Sequence, residues 1–127
     1  MKKNISALKG ASFLWVVGLA LFAMGSPGAS ADEAPVNVDD AASIAAGKAL
    51  FNQTCVACHG YEGTGGRGNP LKGRTDFTPD YLFNTITNGR RNGARVMPSW
   101  KSTFDSTAIW QITSYVWSLR GMPDAGK

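Results

Sequence analysis

Hydrophobic side chains recur with helical spacing in three parts of the chain, and polar stretches separate those parts. In the last part, apolar residues follow at intervals of three and four positions, as on one face of a helix: Ile109, Ile112, Val116 and Leu119. The segments predicted to be helical are 41–52, 81–88 and 107–120. Thr78 is a suitable N-cap for the second helix, and Asp105 or Ser106 for the third.

Two long loops, 60–73 and 90–101, connect these helices. The first is rich in glycine and the second is basic, and neither contains an alternating pattern long enough to predict a strand. We therefore predict an all-α fold of about three main helices and two long loops. Long loops in so small a domain usually serve a site.

The N-terminal residues have the pattern of a secretory signal peptide. A basic start with Lys2 and Lys3 precedes an apolar run, 11–24, and the small residues Ala29-Ser30-Ala31 follow. The run is shorter than the roughly 20 residues that a membrane-spanning helix needs. We predict cleavage near Ala31, which makes the remaining protein soluble and periplasmic, without a stable membrane anchor.

The chain after the predicted cleavage site is long enough for one domain. We divide it into a flexible arm (32–41), a folded domain (42–121) and a tail (122–127). The net charge of the whole sequence is +4, but ten basic and nine acidic side chains remain after residue 31. This nearly balanced charge argues against a nucleic-acid-binding protein.

The candidate chemistry is concentrated in Cys55-Val56-Ala57-Cys58-His59, which contains the only cysteines and the only histidine of the sequence. Cys-x-x-Cys-His is the pattern of c-type haem attachment. Two thiols at this spacing can form thioethers with the haem vinyl groups, and the adjacent imidazole can bind the iron.

Other chemistries use similar cysteine spacing. An exported thiol–disulfide oxidoreductase would place Cys-x-x-Cys after a strand of a βαβ unit, and no such pattern precedes Cys55. A structural zinc site needs four ligands, and this motif offers three. The oxidoreductase remains the alternative hypothesis.

A methionine can complete the axial ligands of a histidine-bound haem iron, and this ligand pair raises the reduction potential. Met97 and Met122 follow the predicted cleavage site. Met97 lies in the second long loop before Pro98, which restricts the backbone, whereas Met122 follows the last helix. We predict Met97 as the second axial ligand.

With these features the sequence resembles the class I c-type cytochromes, the small soluble monohaem electron carriers. The resemblance extends from about residue 42 to residue 121. The segments that carry it are the first helix with Gly47 and Phe51, the motif CVACHG, Pro70-Leu71, Val96-Met97-Pro98, and the last helix with Tyr115.

The resemblance implies a cytochrome c fold around one covalent haem c. It implies that Gly47 and Phe51 pack against Tyr115 where the first and last helices cross. It also implies that the carbonyl of Pro70 accepts the ring N–H of His59 and that Arg74, or else Arg67, lies near the haem propionates. We expect Trp100 in the apolar shell around the haem.

The predicted function is one-electron transport without enzymatic catalysis. The donor could be a quinoprotein dehydrogenase or a membrane complex, and the acceptor a terminal oxidase. We expect a monomer whose redox partners carry acidic docking surfaces. The basic residues that would attract them are Arg90, Arg91, Arg95 and Lys101.

Overall fold

The computed structural model describes residues 36–123. The predicted signal peptide, residues 32–35 of the arm and residues 124–127 of the tail lie outside them. The elements, in chain order, are α1 (Ala41–Thr54), α2 (Val56–His59), a 3₁₀ turn (Tyr61–Gly63), α3 (Pro79–Asn88), β1 (Arg90–Asn92), β2 (Arg95–Met97), α4 (Ser106–Ser118) and a second 3₁₀ turn (Leu119–Gly121). None of the helices within residues 36–123 is long and apolar enough to cross a membrane.

The three main helices predicted from the sequence are confirmed, with shifts of about one turn or less at their ends. The side chain of Thr78 accepts a hydrogen bond from the N–H of Tyr81 at 3.2 Å, and Pro79 occupies the first turn of α3. Asp105 caps α4 by accepting the N–H of Ala108 at 2.8 Å. These side chains satisfy backbone donors that have no partner inside the helix.

Helices α1 and α4 cross in close contact at Gly47. A Cβ atom added to Gly47 would lie 1.8 Å from the carbonyl oxygen of Gln111 and 3.0 Å from Cβ of Tyr115. One turn further along α1, Phe51 meets Tyr115 edge to face, with ring centroids 5.1 Å apart. The predicted contact of Gly47 and Phe51 with Tyr115 is confirmed.

The hydrophobic core lies between α1, α3 and α4. Its buried members are Phe51, Leu82, Ile86, Ile109, Ile112, Tyr115, Val116 and Leu119. Phe83 is only half-buried, and its ring stacks on Trp110 with centroids 4.3 Å apart. The core therefore uses the apolar faces that helical spacing predicted.

The prediction that the second long loop contains no strand is wrong. β1 and β2 pair in antiparallel fashion, and Arg90 lies opposite Met97. A two-residue connection, Gly93-Ala94, joins them, with Gly93 at φ +58°. Strands of three residues are too short for a visible alternating pattern, whereas glycine at the first position of a two-residue loop is a hairpin signal.

Candidate haem site

The predicted ligand residues line one cavity of about 410 Å³, a volume typical of small-molecule and cofactor sites. Cys55, Cys58 and His59 contribute from the α1–α2 segment, and Met97 from the end of β2. One part of the wall is the hydrophobic core itself, through Phe51, Leu82, Ile86, Ile112 and Val116. The polar part of the lining includes Arg67, Asn69, Arg90, Asn92 and Arg95.

The Cys-x-x-Cys-His segment continues almost helically from α1. The N–H of Cys55 donates to the carbonyl of Phe51 at 2.8 Å, and the N–H of His59 donates to the carbonyl of Cys55 at 2.9 Å. Residues three and four positions apart lie on one helix face. The segment therefore presents Cys55, Cys58 and His59 together, and both thiols are free.

The glycine-rich loop orients the imidazole of His59. Its Nδ1 lies 3.1 Å from the carbonyl oxygen of Asn69, which can only accept, so Nδ1 donates. This bond leaves Nε2 available to a metal. The prediction that Pro70 supplies this carbonyl is wrong by one residue, because the acceptor is Asn69.

The reason for the shift is the close packing of the loop backbone on the ring. The N–H of Gly68 donates to the carbonyl of Cys58 at 2.8 Å. A Cβ on Gly68 would lie 2.8 Å from Cε1 of His59. This approach brings the carbonyl of Asn69 to Nδ1, while the ring of Pro70 lies beside Gly65.

Met97 ends β2 and packs, half-buried, against the hydrophobic core. The segment after it is attached to α3. The hydroxyl of Ser99 donates to the carbonyl of Thr87 at 2.7 Å, and the N–H of Trp100 donates to the carbonyl of Ile86 at 3.1 Å. These bonds hold Met97 at the cavity, and Trp100 lines the cavity as expected.

Arg74 does not line the cavity. Its Nε and Nη2 atoms donate to the two carboxylate oxygens of Asp76 at 2.6 and 2.5 Å. These bonds lower the pKa of Asp76. The guanidinium also lies 4.5 Å from the ring centroid of Phe77.

The arginines that line the cavity are Arg67, which was the other sequence candidate, and Arg90 and Arg95. The side chain of Arg90 donates to the hydroxyl of Tyr81. Arg90 and Arg95 were predicted to be basic residues that attract a redox partner; both side chains are exposed and also line the cavity. The hairpin, which went unpredicted, turns this part of the loop back onto the cavity.

The rival chemistries find little support in this geometry. Burial, with a smaller contribution from Cys58, raises the pKa of the Cys55 thiol to about 11, whereas reactive thiols have a lowered pKa. The motif follows a helix rather than a strand. Within residues 36–123 no three His, Cys, Asp or Glu side chains cluster as a metal site would require. An apolar cavity with two thiols, an imidazole and a thioether fits haem c instead.

The chain is similar to subunits of cbb3-type cytochrome c oxidases. It is 41% identical over 86 residues to the FixP subunit of Bradyrhizobium sp. (strain ORS 278). This alignment covers 61% of this chain and 28% of that protein. It is 36% identical over 95 residues to the CcoP subunit of Azospirillum brasilense. This second alignment covers 65% of this chain and 30% of that protein. The chain thus spans less than a third of the length of these relatives.

A solved structure with a similar fold is cytochrome cL from the marine methylotrophic bacterium Methylophaga aminisulfidivorans MPT. The TM-score is 0.54 at 28% sequence identity, over 64% of this chain and 55% of the other. The predicted all-α cytochrome c fold is confirmed.

The predictions of a monomeric carrier without a membrane anchor and of a soluble periplasmic location are wrong. The relatives are named as subunits of an oxidase, and a subunit works inside an assembly of chains. This finding contradicts a freely diffusing monomer. The same finding contradicts the soluble location and the absence of a membrane anchor, which were both inferred from the signal peptide.

Residues 42–116, more than half of the chain, match the family described as cytochrome c oxidase, cbb3-type, subunit III. This match confirms the predicted c-type cytochrome and its covalent haem c. The chain belongs to the cbb3-type cytochrome c oxidase subunit III family.

Proposed function

We propose that this chain binds one haem c through Cys55 and Cys58, with His59 and Met97 as the axial ligands. The observation that carries the proposal is that all four side chains line a single cavity whose wall is the hydrophobic core. When bound, the haem supplies one-electron Fe(III)/Fe(II) chemistry. The protein supplies the ligands, their orientation and the exclusion of water.

The surroundings of the two axial residues support this assignment. The Asn69 carbonyl accepts from Nδ1 of His59 at 3.1 Å, which fixes the ring and increases its basicity as a ligand. Met97 is placed by β1–β2 pairing on one side and by the α3 contacts of Ser99 and Trp100 on the other. An iron with both axial positions filled has no open position for a substrate, so we propose electron transfer rather than catalysis.

The relatives suggest where the electrons go. They are subunits of cytochrome c oxidases. We therefore propose that this chain passes single electrons toward the catalytic part of a terminal oxidase, as a component of that assembly.

Covalent attachment is tested by acid–acetone extraction of the purified protein. We expect the haem to stay with the polypeptide, and we expect Cys55→Ala combined with Cys58→Ala to abolish this retention. Haem that moves into the acetone phase from the wild-type protein would contradict thioether attachment.

The axial role of Met97 is tested with Met97→His. Imidazole donates more strongly to Fe(III) than a thioether does, so we expect the variant to retain haem with a lower reduction potential. Met122→His is the matched control, because Met122 is 41% exposed beyond the last helix. A potential that is equal in Met97→His and the wild-type protein would remove Met97 as a ligand.

A further inference from the structure

A hydrogen bond connects the loop that orients the proposed ligand His59 with the hairpin that carries the proposed ligand Met97. Nη1 of Arg95 donates to the side-chain oxygen Oδ1 of Asn69 at 2.7 Å. The backbone carbonyl of the same Asn69 is the acceptor for Nδ1 of His59. Asn69 therefore contacts the His59 ring through its main chain and the Met97 hairpin through its side chain.

The strand register places Arg95 on the same face of the hairpin as Met97. Arg95 and Met97 are two positions apart in β2, and side chains two apart in a strand lie on the same face. Their partners across the hairpin are Asn92 and Arg90, and all four line the cavity. Arg91 and its partner Val96 alternate to the opposite face; Val96 also lines the cavity, whereas Arg91 does not.

We propose that Arg95 is a positioning residue that couples the His59-orienting loop to the Met97 hairpin through Asn69. The inference rests on the proposed haem ligation. By holding the Asn69 side chain, Arg95 limits rotation of the peptide whose carbonyl orients His59. The same bond restrains β2 near its last residue, Met97, and so slows departure of the thioether from the iron.

The contact between Arg95 and Asn69 depends on the guanidinium group. A guanidinium offers several N–H donors in a planar fork, so one can engage Asn69 while the charge remains at the cavity rim. Both side chains are exposed, so the bond contributes little to global stability. Its effect is expected in the ligands rather than in unfolding.

The rate of carbon monoxide binding to the ferrous protein tests the restraint on Met97, because carbon monoxide must displace that ligand. We expect Arg95→Ala and Asn69→Ala each to raise this rate by about threefold, a change appropriate to a weak exposed contact. The double variant should be no faster than either single variant, because both remove the same bond. Arg91→Ala is the matched control and should leave the rate unchanged.

Two further variants separate geometry from charge. Arg95→Lys keeps the positive charge without the planar fork, and we expect it to bind carbon monoxide nearly as fast as Arg95→Ala. Asn69→Ala changes no charge, and we expect its reduction potential to rise because His59 becomes a weaker donor. An unchanged potential in Asn69→Ala would overturn the coupling to His59.

Several outcomes would overturn the coupling to Met97. They are an unchanged rate in Arg95→Ala, an equal increase in Arg91→Ala, wild-type behaviour of Arg95→Lys, or additive effects in the double variant. The ferric spectrum of the wild-type protein separates this inference from the proposed function. Without the methionine-to-iron charge-transfer absorption, the proposed ligation itself fails. With that absorption present and the variants unchanged, only the role of Arg95 fails.

Discussion

Gly68 lies too close to the ring of the proposed ligand His59 to carry a side chain. A Cβ at this position would stand 2.8 Å from Cε1 and 2.9 Å from Nδ1 of the imidazole. The loop needs this contact because the next residue, Asn69, must present its carbonyl to Nδ1. The absence of a side chain at Gly68 thus allows the loop to orient the proposed axial ligand His59.

Gly68→Ala should therefore disturb His59 directly. We expect a loss of about 1–3 kcal/mol in the free energy of unfolding, as in overpacked sites, together with a shifted reduction potential. Denaturant unfolding and redox titration measure the two effects. Gly121→Ala is the control, because a Cβ there meets no atom within 4 Å. Equal behaviour of the two variants would contradict the packing of Gly68 on the ring.

Among the elements, α1 and α4 depend on a backbone contact that only glycine allows. A methyl group on Gly47 would meet the carbonyl oxygen of Gln111 at 1.8 Å, and a backbone atom inside a helix has little freedom to retreat. Alanine is favoured over glycine in a helix by about 1 kcal/mol. The clash exceeds this gain, because the helices must separate to relieve it.

Gly47→Ala should lower the free energy of unfolding by roughly 1–3 kcal/mol, by analogy with other overpacked cores. Thermal or denaturant unfolding of the haem-loaded protein measures it. Lys48→Ala, on the exposed face of the same helix, should change it by less than about 0.5 kcal/mol. A stabilised Gly47→Ala protein would mean that the helices are not in contact at this residue.

The start of α1 links helix stability to pH. The carboxylate of Asp40 accepts the N–H of Ser43 at 2.8 Å, and this bond lowers the pKa of Asp40 below its usual 3.8. A carboxyl group whose pKa is lowered by folding stabilises the folded state at pH values above its unfolded pKa. This stabilisation is lost as the pH falls through the folded pKa.

Asp40→Asn should retain the cap and lose this pH dependence, since asparagine is also a good N-cap. We expect the variant to match the wild-type protein near neutral pH and to lose less stability on acidification below about pH 3.8. Asp40→Ala should be less stable than both at neutral pH. Identical acid titrations of stability for wild-type and Asp40→Asn proteins would exclude the carboxylate as the cap.

Over the whole described domain, the hydrophobic core and the cofactor cavity share a wall. Phe51, Leu82, Ile86, Ile112 and Val116 belong to both. A small domain buries a limited part of its surface and often needs a cofactor for stability. Without the cofactor, a cavity of about 410 Å³ would leave these apolar core side chains in contact with water, which weakens the hydrophobic stabilisation of the fold.

Removing the attachment residues should therefore disrupt folding as well as redox activity. We expect the haem-free Cys55→Ala, Cys58→Ala protein to lack a sharp thermal transition and the near-ultraviolet circular dichroism of fixed aromatic side chains. The haem-loaded wild-type protein should show both. A sharp transition in the haem-free variant would show that the core is complete without the cofactor.

Much of the architecture could be predicted because it depends on residues close together in the chain. Thr78 and Asp105 cap helices through N–H groups three positions away. Cys55, Cys58 and His59 share a helix face through their spacing alone, and the thioether of Met97 is recognisable from its residue type. That Gly47 and Phe51 meet Tyr115 of the last helix was accessible only through resemblance to the class I cytochromes.

The errors concern contacts between distant segments and the setting in which the chain works. Asn69 rather than Pro70 meets His59, because the packing of Gly68 sets which carbonyl reaches the ring. A signal-peptide pattern describes export, and it carries no information about assembly with other chains. The soluble state predicted from it, and the expected monomer, were overturned by the oxidase-subunit relatives.

The sequence by itself determined the helices, their caps, the haem-attachment motif and the candidate methionine, because each follows from residue type and local spacing. Only the tertiary structure decided which residues surround the site. Arg95 and Asn69 are 26 positions apart, and a short hairpin brings Arg95 to the cavity that Arg90 also lines. Such pairings depend on the packing of separate segments, which no local pattern encodes.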